Sequence, residues 1–276
     1  MRLNLYKPVL ENSFSGVKLR ILARLKRFPT FYAMVRSGYF GASAGIARLL
    51  FTISEPAKYA IGEFGATHRR FVRDGAGERV RSSSGLTARS VVIDGGGYRG
   101  DWTAALIAGC DPYVTIYEPI PGFHQQIAAR FADNPKITIR PVGMAGGNES
   151  RSLTLAGDAS GAFAPSAAET ATVEVQMIDV AREFNRFERI DLLKLNIEGD
   201  EYEVLERLLD TGCIGKIDLL RVQFHRFVPE AAGRYRKIRR RLKRTHRLVW
   251  RYPFVWEEWQ RKNDDANVGG TRDDAA

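Results

Sequence analysis

The sequence predicts an α/β protein in which a mostly parallel, doubly wound sheet carries an antiparallel edge strand and follows a helical N-terminal extension. From residue 90 onward, short β-branched runs alternate with helical patterns, which is typical of a parallel sheet with helices on both faces. A cluster of glycines separates the first of these strands from the next helix. The last two predicted strands are aromatic and are joined by a turn near Pro253, as in an antiparallel edge pair.

The chain divides into three predicted regions. Residues 1–85 form a basic helical N-terminal extension, because apolar residues recur at helical spacing over 16–28 and over about 42–62. Residues 86–260 contain the strand–helix alternation and form the main domain. Residues 261–276 are polar, and we expect a disordered tail there.

Within the main domain, each element follows from its pattern of apolar residues. Apolar runs predict strands at 90–94, 113–118, 136–140, 172–177, 190–198, 216–224 and, as a pair, within 246–259. Amphipathic spacing predicts helices at 100–109, 121–133, from 179 onward, at 200–212 and at 230–244. The stretch 73–85 is predicted to be a linker or surface loop, and the Ala- and Gly-rich stretch 141–171 a longer loop.

Composition narrows the class of protein. The 276 residues are 27% charged and 44% hydrophobic, which is ordinary for a soluble globular protein. The sequence contains no run of 18 apolar residues, so we expect no transmembrane helix. Cys110 and Cys213 provide neither a disulfide framework nor metal-ligand spacing, so we expect a reduced, cytoplasmic setting. The net charge of +10 is concentrated: residues 1–30 hold seven Lys and Arg against one acid, and residues 226–251 hold eleven against one.

The stretch VVIDGGGYRGDW predicts a cofactor site. Gly95, Gly97 and Gly100 fit the spacing G-x-G-x-x-G between a strand and a helix, where backbone N–H groups meet a ligand. Eighteen residues after Gly100, Glu118 ends the second strand, where a carboxylate can bind a ribose diol. Asp94 favours S-adenosylmethionine over a dinucleotide, because a carboxylate attracts a sulfonium and an amino group but repels a pyrophosphate.

A second stretch, LLKLNIEGDEYEVLERL over 192–208, predicts a polar crevice. By alternation, Lys194, Asn196 and Glu198 share one face of a strand at its carboxyl end. Ligands of open α/β sheets bind outside that edge. Alternatively, Glu198 and Asp200 have no ligand, lie at the surface and cap the start of the next helix.

These segments resemble, in the same order, the FkbM family of S-adenosylmethionine-dependent methyltransferases. The family's Asp-x-Gly-Ala-Asn-x-Gly motif is matched by Asp94, Gly96, Gly97 in place of Ala, Tyr98 in place of Asn, and Gly100. Its Glu-Pro pair is Glu118-Pro119, and its Lys-Ile-Asp-Val-Glu-Gly-x-Glu signature is matched by Lys194, Leu195, Asn196, Ile197, Glu198, Gly199 and Glu201. The strings VQFH and YPFVWEEW are also similar, and the resemblance covers roughly residues 88–260.

The resemblance implies a Rossmann-like methyltransferase fold and S-adenosyl-L-methionine as the cofactor. The cofactor-binding residues that it implies are Asp94, Gly95, Gly96, Gly97, Tyr98, Gly100, Glu118 and Asn196. Two of them depart from the family pattern: Tyr98 replaces an amide that would line the donor pocket, and Asn196 replaces an aspartate. Asn196 still accepts a hydrogen bond from the donor's amino group, but it is a poor metal ligand, so we expect no metal.

Methyl transfer to an alcohol needs a general base near the methyl group. Glu198, His225 and Lys194 are the candidate catalytic residues, because they are the polar side chains at strand ends. His225 ends the next parallel strand and would face the same crevice. The alternative for His225 is a packing role between its phenylalanine neighbours.

The resemblance implies O-methylation of a hydroxyl on a small molecule or a glycan, such as a surface-polysaccharide sugar or a nucleotide- or lipid-linked sugar. The segment 234–247, with nine Lys and Arg in fourteen residues, is either a solvated helix face or an attraction site for a phosphorylated acceptor or an anionic membrane. The basic helix 16–28 makes peripheral contact at the inner membrane face a second hypothesis. Two further alternatives are an RNA methyltransferase, which the lack of a recognisable RNA-binding module disfavours, and a catalytically inactive protein that binds the donor or a glycan.

Overall fold

The computed structural model of the chain describes residues 63–154 and 172–262. The predicted helices at 16–28 and 42–62 lie outside the described residues, as does nearly all of the predicted tail. Within the described ranges, no helix combines the length and the apolar character needed to cross a membrane.

The chain divides into two units, Met1–Gly65 and Ala66–Ala276, and the elements below belong to the second unit apart from the first residues of one helix. The described strands are β1 (Val91–Gly95), β2 (Tyr113–Tyr117), β3 (Ile137–Arg140), β4 (Gly143–Ala145), β5 (Glu149–Thr154), β6 (Thr172–Asp179), β7 (Ile190–Leu195), β8 (Ile217–Val222), β9 (His246–Tyr252) and β10 (Trp256–Arg261). The described α-helices are α1 (Glu63–Arg73), α2 (Gly77–Arg81), α3 (Asp101–Ile107), α4 (Pro121–Arg130), α5 (Val180–Phe184), α6 (Glu201–Asp210) and α7 (Ala231–Thr245), with a 3-10 turn at Cys213–Lys216.

Seven strands form the main sheet in the order β3-β2-β1-β7-β8-β10-β9. All neighbours from β3 to β8 are parallel, whereas β10 runs antiparallel to both β8 and β9. The predicted fold class, a mostly parallel doubly wound sheet with an antiparallel edge, is therefore confirmed. Strand order reverses between β1 and β7, and ligands of such sheets bind where it reverses, outside the carboxyl ends of the strands.

Helices pack on both faces of the main sheet because its central strands are apolar on both sides. In β7, Leu192 packs with Leu106 of α3 and Ile127 of α4, whereas Leu193 and Leu195 belong to the core under α5, α6 and α7. These side chains are fully buried, and each contributes roughly 1.5–3 kcal/mol to folding. Two closed core layers therefore fix the central strands and the loops at their ends.

The second sheet, in the order β4-β6-β5, differs from the prediction of one long loop over 141–171. β5 pairs antiparallel with β6 along its whole length. Of the six residues of β5, only Leu153 is buried, so the strand lacks the apolar run that would identify it in the sequence. Its backbone pairing, rather than its side chains, makes it a strand.

The residues just before β1 pack against the main domain. The carbonyl oxygen of Val80 accepts hydrogen bonds from Trp102 Nε1 at 2.7 Å and from Arg221 Nη1 at 3.3 Å. The Phe71 and Tyr252 rings meet edge to face, with centroids 5.3 Å apart. The predicted loop over 73–85 contains the short helix α2, whose one buried side chain, Val80, is too little for a periodic pattern. The domain boundary at residue 85 stays a prediction.

Candidate active site

The turn between β1 and α3 brings backbone rather than side chains to the sheet edge. Gly96 and Gly100 have φ of +82° and +78°, a left-handed conformation that glycine adopts without strain. A Cβ at Gly96 would lie 2.0 Å from the backbone oxygen of Asn196, so a side chain there would push the turn away from the end of β7. The N–H groups of Gly96 and Gly97 donate to the Tyr117 carbonyl at 3.0 and 3.3 Å. The turn is thus fixed between β2 and β7.

A buried ion pair supports this turn from below. Lys194 Nζ donates to Asp94 Oδ1 at 2.9 Å and to the carbonyl oxygens of Gly95 at 3.2 Å and Gly96 at 2.8 Å. The other Asp94 oxygen accepts from Thr103 Oγ1 at 2.7 Å. Lys194 and Asp94 are 3% and 0% exposed, so neither opens to the crevice, and all three N–H bonds of the ammonium are used.

Glu118 lies at the end of β2, beside the turn, and is buried. Its two carboxylate oxygens accept hydrogen bonds from the backbone N–H groups of Tyr98 at 2.8 Å and Ile120 at 2.9 Å. Burial raises the pKa of the Glu118 carboxyl to about 7, although these two N–H groups favour its charged form. Each oxygen keeps a further lone pair for a ligand hydroxyl.

Tyr98 stands where the family motif has an asparagine. Its φ of +51° lies in the left-handed region, which Asn occupies more readily than Tyr. The Tyr98 ring packs against Phe123, with centroids 4.6 Å apart. The side chain at this position therefore offers an aromatic surface instead of an amide.

Asn196 follows β7 and carries an unused acceptor. Its backbone N–H donates to the Gly95 carbonyl at 3.1 Å, which holds it beside the turn. Its Oδ1 atom is buried and has no hydrogen-bond partner among the described residues. Such an acceptor costs about 1–3 kcal/mol unless a ligand N–H group meets it.

The residues at this edge fit S-adenosylmethionine. The donor has an amino group for Asn196 Oδ1 and ribose hydroxyls for the Glu118 carboxylate. The glycine turn between them has no room for side chains of its own, because a Cβ at Gly97 would lie 2.3 Å from Ile116 Cγ2.

The carboxyl ends of β7 and β8 hold a cluster of two carboxylates around an imidazole. The ring of His225 lies between Glu201, whose Oε1 is 2.9 Å from Nδ1, and Glu198, whose Oε2 is 3.5 Å from Nε2. Glu201 Oε1 also accepts from the His225 backbone N–H at 2.6 Å, and its Oε2 accepts from the Gly199 N–H at 2.9 Å. Glu201 is fully buried, whereas the Glu198 side chain is 21% exposed. Only Glu198 of the two carboxylates reaches the crevice.

This cluster keeps His225 protonated. Burial alone would lower the pKa of the imidazole, but the Glu201 carboxylate, joined by that of Glu198, raises it to about 10. Glu198 itself has φ of +51°, a strained conformation for a residue with a Cβ. Backbone strain of this kind persists where the surrounding structure holds the residue, here between His225 and the buried end of α6.

Two residues near this cluster were not predicted as part of the site. Glu201 occupies the buried stripe of α6 with Leu205 and Leu208, and an acid at a core position of a helix was the available clue. Arg151 of β5 reaches across to Asp200, with Nη1 2.6 Å from Oδ1, and so joins the second sheet to the start of α6. The polar pattern of β5 gave no such clue.

The predicted site residues therefore separate into three groups. The glycines, Tyr98, Glu118 and Asn196 lie together around the ends of β1 and β2. Glu198 and His225 lie together at the ends of β7 and β8. Asp94 and Lys194 lie beneath the turn.

Several solved structures are similar to this chain at low sequence identity. An rRNA methylase from Streptococcus thermophilus has a TM-score of 0.41 at 11% identity, over 68% of this chain and 95% of its own. The N-methyltransferase NodS of Bradyrhizobium japonicum WM9, solved with S-adenosyl-L-homocysteine, has a TM-score of 0.36 at 13% identity, over 71% of this chain and 88% of its own. The fibrillarin pre-rRNA processing protein of Methanococcus jannaschii has a TM-score of 0.38 at 12% identity, over 63% and 67%. No curated protein sequence matches the chain.

The sequence itself matches a family. Residues 94–248, more than half of the chain, match the Methyltransferase FkbM domain. The match begins at Asp94, includes the glycine turn, Glu118, Asn196, Glu198 and His225, and ends in β9. With an α/β sheet of the expected class and an edge that fits the methyl donor, the chain belongs to the FkbM family of methyltransferases, and S-adenosylmethionine is its cofactor.

Proposed function

We propose that this methyltransferase acts on a hydroxyl of a small molecule or glycan, with Glu198 as the general base. The observation that carries the proposal is the position of Glu198. Its carboxylate is partly exposed at the carboxyl edge of the sheet, is held by a protonated imidazole and sits on a strained backbone. A base of this kind is what an alcohol acceptor requires, since the alcohol must lose its proton as the methyl group arrives.

The donor side of the site binds and orients. When bound, S-adenosylmethionine supplies a methyl group already activated by a positively charged sulfur. Asn196 Oδ1 accepts from the donor's amino group and Glu118 from its ribose hydroxyls in this proposal. Lys194 and Asp94 act as positioning residues, because they hold the turn and touch neither reactant. Most of the rate enhancement then comes from alignment of acceptor and donor.

On the acceptor side, Glu198 takes the hydroxyl proton and His225 positions Glu198. The raised pKa of His225 favours this division, because an imidazole that is already protonated at neutral pH cannot accept the proton itself. Glu201 holds the ring of His225 through Nδ1 and its backbone N–H.

The acceptor class is supported by the surface beside the cluster. The ring of Phe227 lies 5.2 Å from the ring of His225 and is 43% exposed. An exposed aromatic face next to a carboxylate suits a sugar ring or another small ring that presents both an apolar face and a hydroxyl. The acceptor is a free or a phosphorylated compound in this proposal, and the reaction takes place in the cytoplasm.

The proposal is tested with radiolabelled methyl donor and three acceptor panels: monosaccharides and nucleotide-sugars, small amines, and total RNA. We expect label to enter the hydroxyl panel, and Glu198→Gln to lower kcat at least a hundredfold while donor affinity changes less than threefold. Glu188→Gln, at an exposed glutamate far from the cluster, is the matched control. Label in RNA or amines, or full turnover by Glu198→Gln, would sink the assignment. Donor binding without any labelled product would support a catalytically inactive protein.

A pH profile separates the two candidate bases. If Glu198 is the base and His225 stays protonated, kcat does not rise as the pH approaches 10. If His225 had to lose its proton first, kcat would rise with pH toward 10, the pKa of its imidazole.

A further inference from the structure

Helix α7 carries eight Lys and Arg in its fifteen residues and no acid. Four buried side chains, Ala231, Tyr235, Ile238 and Leu242, recur at helical spacing and fix one stripe of the helix to the core. The helix is therefore held rigidly, and its cations have defined directions.

Three of the eight cations sit beside this stripe and are paired with acids of the domain. Arg234 Nη2 lies 2.7 Å from Glu206 Oε2, and Arg241 Nη1 lies 2.7 Å from Asp210 Oδ1, both on α6. Arg239 Nε lies 3.3 Å from the buried Glu257 Oε2. These contacts account for the cations on the two flanks of the helix.

The other five cations form what we call the outer basic face: Arg236, Lys237, Arg240, Lys243 and Arg244. All five are exposed, and none has an ion-pair partner within residues 63–154 and 172–262. At 100° per residue they fall within about a third of the helix circumference, opposite the buried stripe. They extend over about 12 Å of the helix axis, at about 1.5 Å per residue.

Five unpaired like charges on one side of a rigid helix repel one another. An anionic partner relieves this repulsion, and a stripe on a convex surface fits a flat partner better than an enclosed ligand. Directly after the helix, Leu248 and Val249 of the edge strand β9 are 36% and 43% exposed. Aliphatic side chains beside a cationic stripe suit the boundary between headgroups and acyl chains. A site for single-stranded RNA would instead combine its cations with exposed aromatic rings that stack on bases, and the outer basic face contains no aromatic residue.

We propose that the outer basic face docks the enzyme on a bilayer surface that contains anionic phospholipids. Each Lys or Arg in such a stripe adds to the attraction, and the sum falls as salt screens it. This inference does not depend on the proposed reaction, because binding is measured without donor or acceptor.

The test is co-sedimentation of the full chain with phosphatidylcholine vesicles that contain 0 or 30% phosphatidylglycerol. We expect binding only to the anionic vesicles, with a steep loss between 50 and 300 mM NaCl. The variant Arg236→Glu/Arg240→Glu is expected to bind at least tenfold more weakly. Its matched control is Arg69→Glu/Arg89→Glu, which makes the same charge change at two exposed arginines elsewhere and is expected to bind as the wild type does.

Four outcomes would overturn the proposal. Equal binding to neutral and anionic vesicles would show that charge is not what attracts the protein. Equal loss in both double variants would assign the attraction to net charge, and unchanged binding of the Arg236→Glu/Arg240→Glu variant would assign it to another part of the chain. Single-stranded RNA could also be added to the vesicle-bound protein, at a phosphate concentration equal to that of the anionic lipid. Release of most of the protein from the vesicles would then make RNA the partner. Circular dichroism of each variant confirms that the exposed substitutions leave the fold intact.

Discussion

The surroundings of His225 reverse the ordinary behaviour of a buried imidazole. An imidazole enclosed by protein is normally neutral, yet Glu201 and Glu198 keep this one charged and raise its pKa to about 10. We expect ¹⁵N NMR of the His225 ring to show a pKa above 9. In Glu201→Gln the pKa should fall by at least one unit, because the nearer carboxylate charge is gone. A wild-type value below 7 would contradict the assignment of the cluster.

The raised pKa of the His225 imidazole also makes the free energy of unfolding depend on pH. Because its folded pKa of about 10 exceeds the unfolded value of 6.5, the stabilisation is complete below pH 6.5 and is lost as the pH rises to 10. The loss is about 1.4 kcal/mol per pH unit within that window. Urea unfolding at pH 7 and pH 9 should therefore show a larger decrease for the wild type than for His225→Gln. Parallel decreases in the two proteins would argue against a charged, buried imidazole.

Glu118 makes donor binding sensitive to pH near neutrality. Its carboxyl has a pKa of about 7, and the charged form is the stronger acceptor for ribose hydroxyls. Calorimetric titration with S-adenosylhomocysteine should show affinity rising at least threefold from pH 6 to pH 8. Glu118→Gln should bind more weakly, with no change over this range. A wild-type affinity independent of pH would remove Glu118 from the donor site.

At the scale of elements, the glycine turn after β1 depends on the neighbouring strand β7. Lys194 of β7 donates to two carbonyls of the turn, so we expect Lys194→Met to reduce S-adenosylhomocysteine affinity at least tenfold. Lys194→Met/Asp94→Asn, which leaves no buried unpaired charge, keeps the test valid if the single variant unfolds. Lys216→Met is the control, because Lys216 also donates to two backbone carbonyls but lies away from the turn. If the Lys194 and Lys216 variants lost S-adenosylhomocysteine affinity equally, Lys194 would have only a general structural role.

The second sheet is joined to the acceptor side through Arg151. Burial raises the pKa of Asp200 to about 7, and Arg151 is the cation that offsets it. Arg151→Met should lower the free energy of unfolding by about 1–3 kcal/mol at pH 8, and by less at pH 6, where Asp200 is protonated. Arg186→Met removes a more exposed ion pair and should change it by less than about 0.5 kcal/mol. An Arg151→Met variant as stable as the wild type at pH 8 would show that this bridge contributes nothing.

How far the sequence predicts these elements depends on where their stabilisation comes from. β1, β2, β7 and β8 are apolar runs, so their existence and parallel order follow from pattern alone. β5 is stabilised by backbone pairing with β6, and α2 by one buried side chain, so neither leaves a periodic pattern. The three residues of β4 are buried, but the strand is too short to show a period.

At the scale of the whole molecule, motif spacing placed the candidate residues near the carboxyl ends of the strands but did not predict what each one contacts. Asp94 and Lys194 carry opposite charges and lie near the ends of two predicted strands. Their pairing depends on β1 and β7 being neighbours in a register that sets the two residues opposite each other, and the sequence does not show that register. The same limit applies to His225. Its partner Glu201 lies on a helix, and no spacing rule connects a helix position to the end of the next strand.

The reversal of strand order between β1 and β7 divides the labour of the enzyme. Groups proposed to hold the donor come mainly from β1, β2 and their loops, and groups proposed to act on the acceptor follow β7 and β8. The two halves meet where β1 pairs with β7, through the Lys194–Asp94 ion pair and the close approach of Gly96 to Asn196. We therefore expect substitutions in the loop after β8 to change which compound is methylated while the donor pocket stays intact. In evolution, an enzyme arranged in this way can change its acceptor specificity while it keeps the same binding site for the methyl donor.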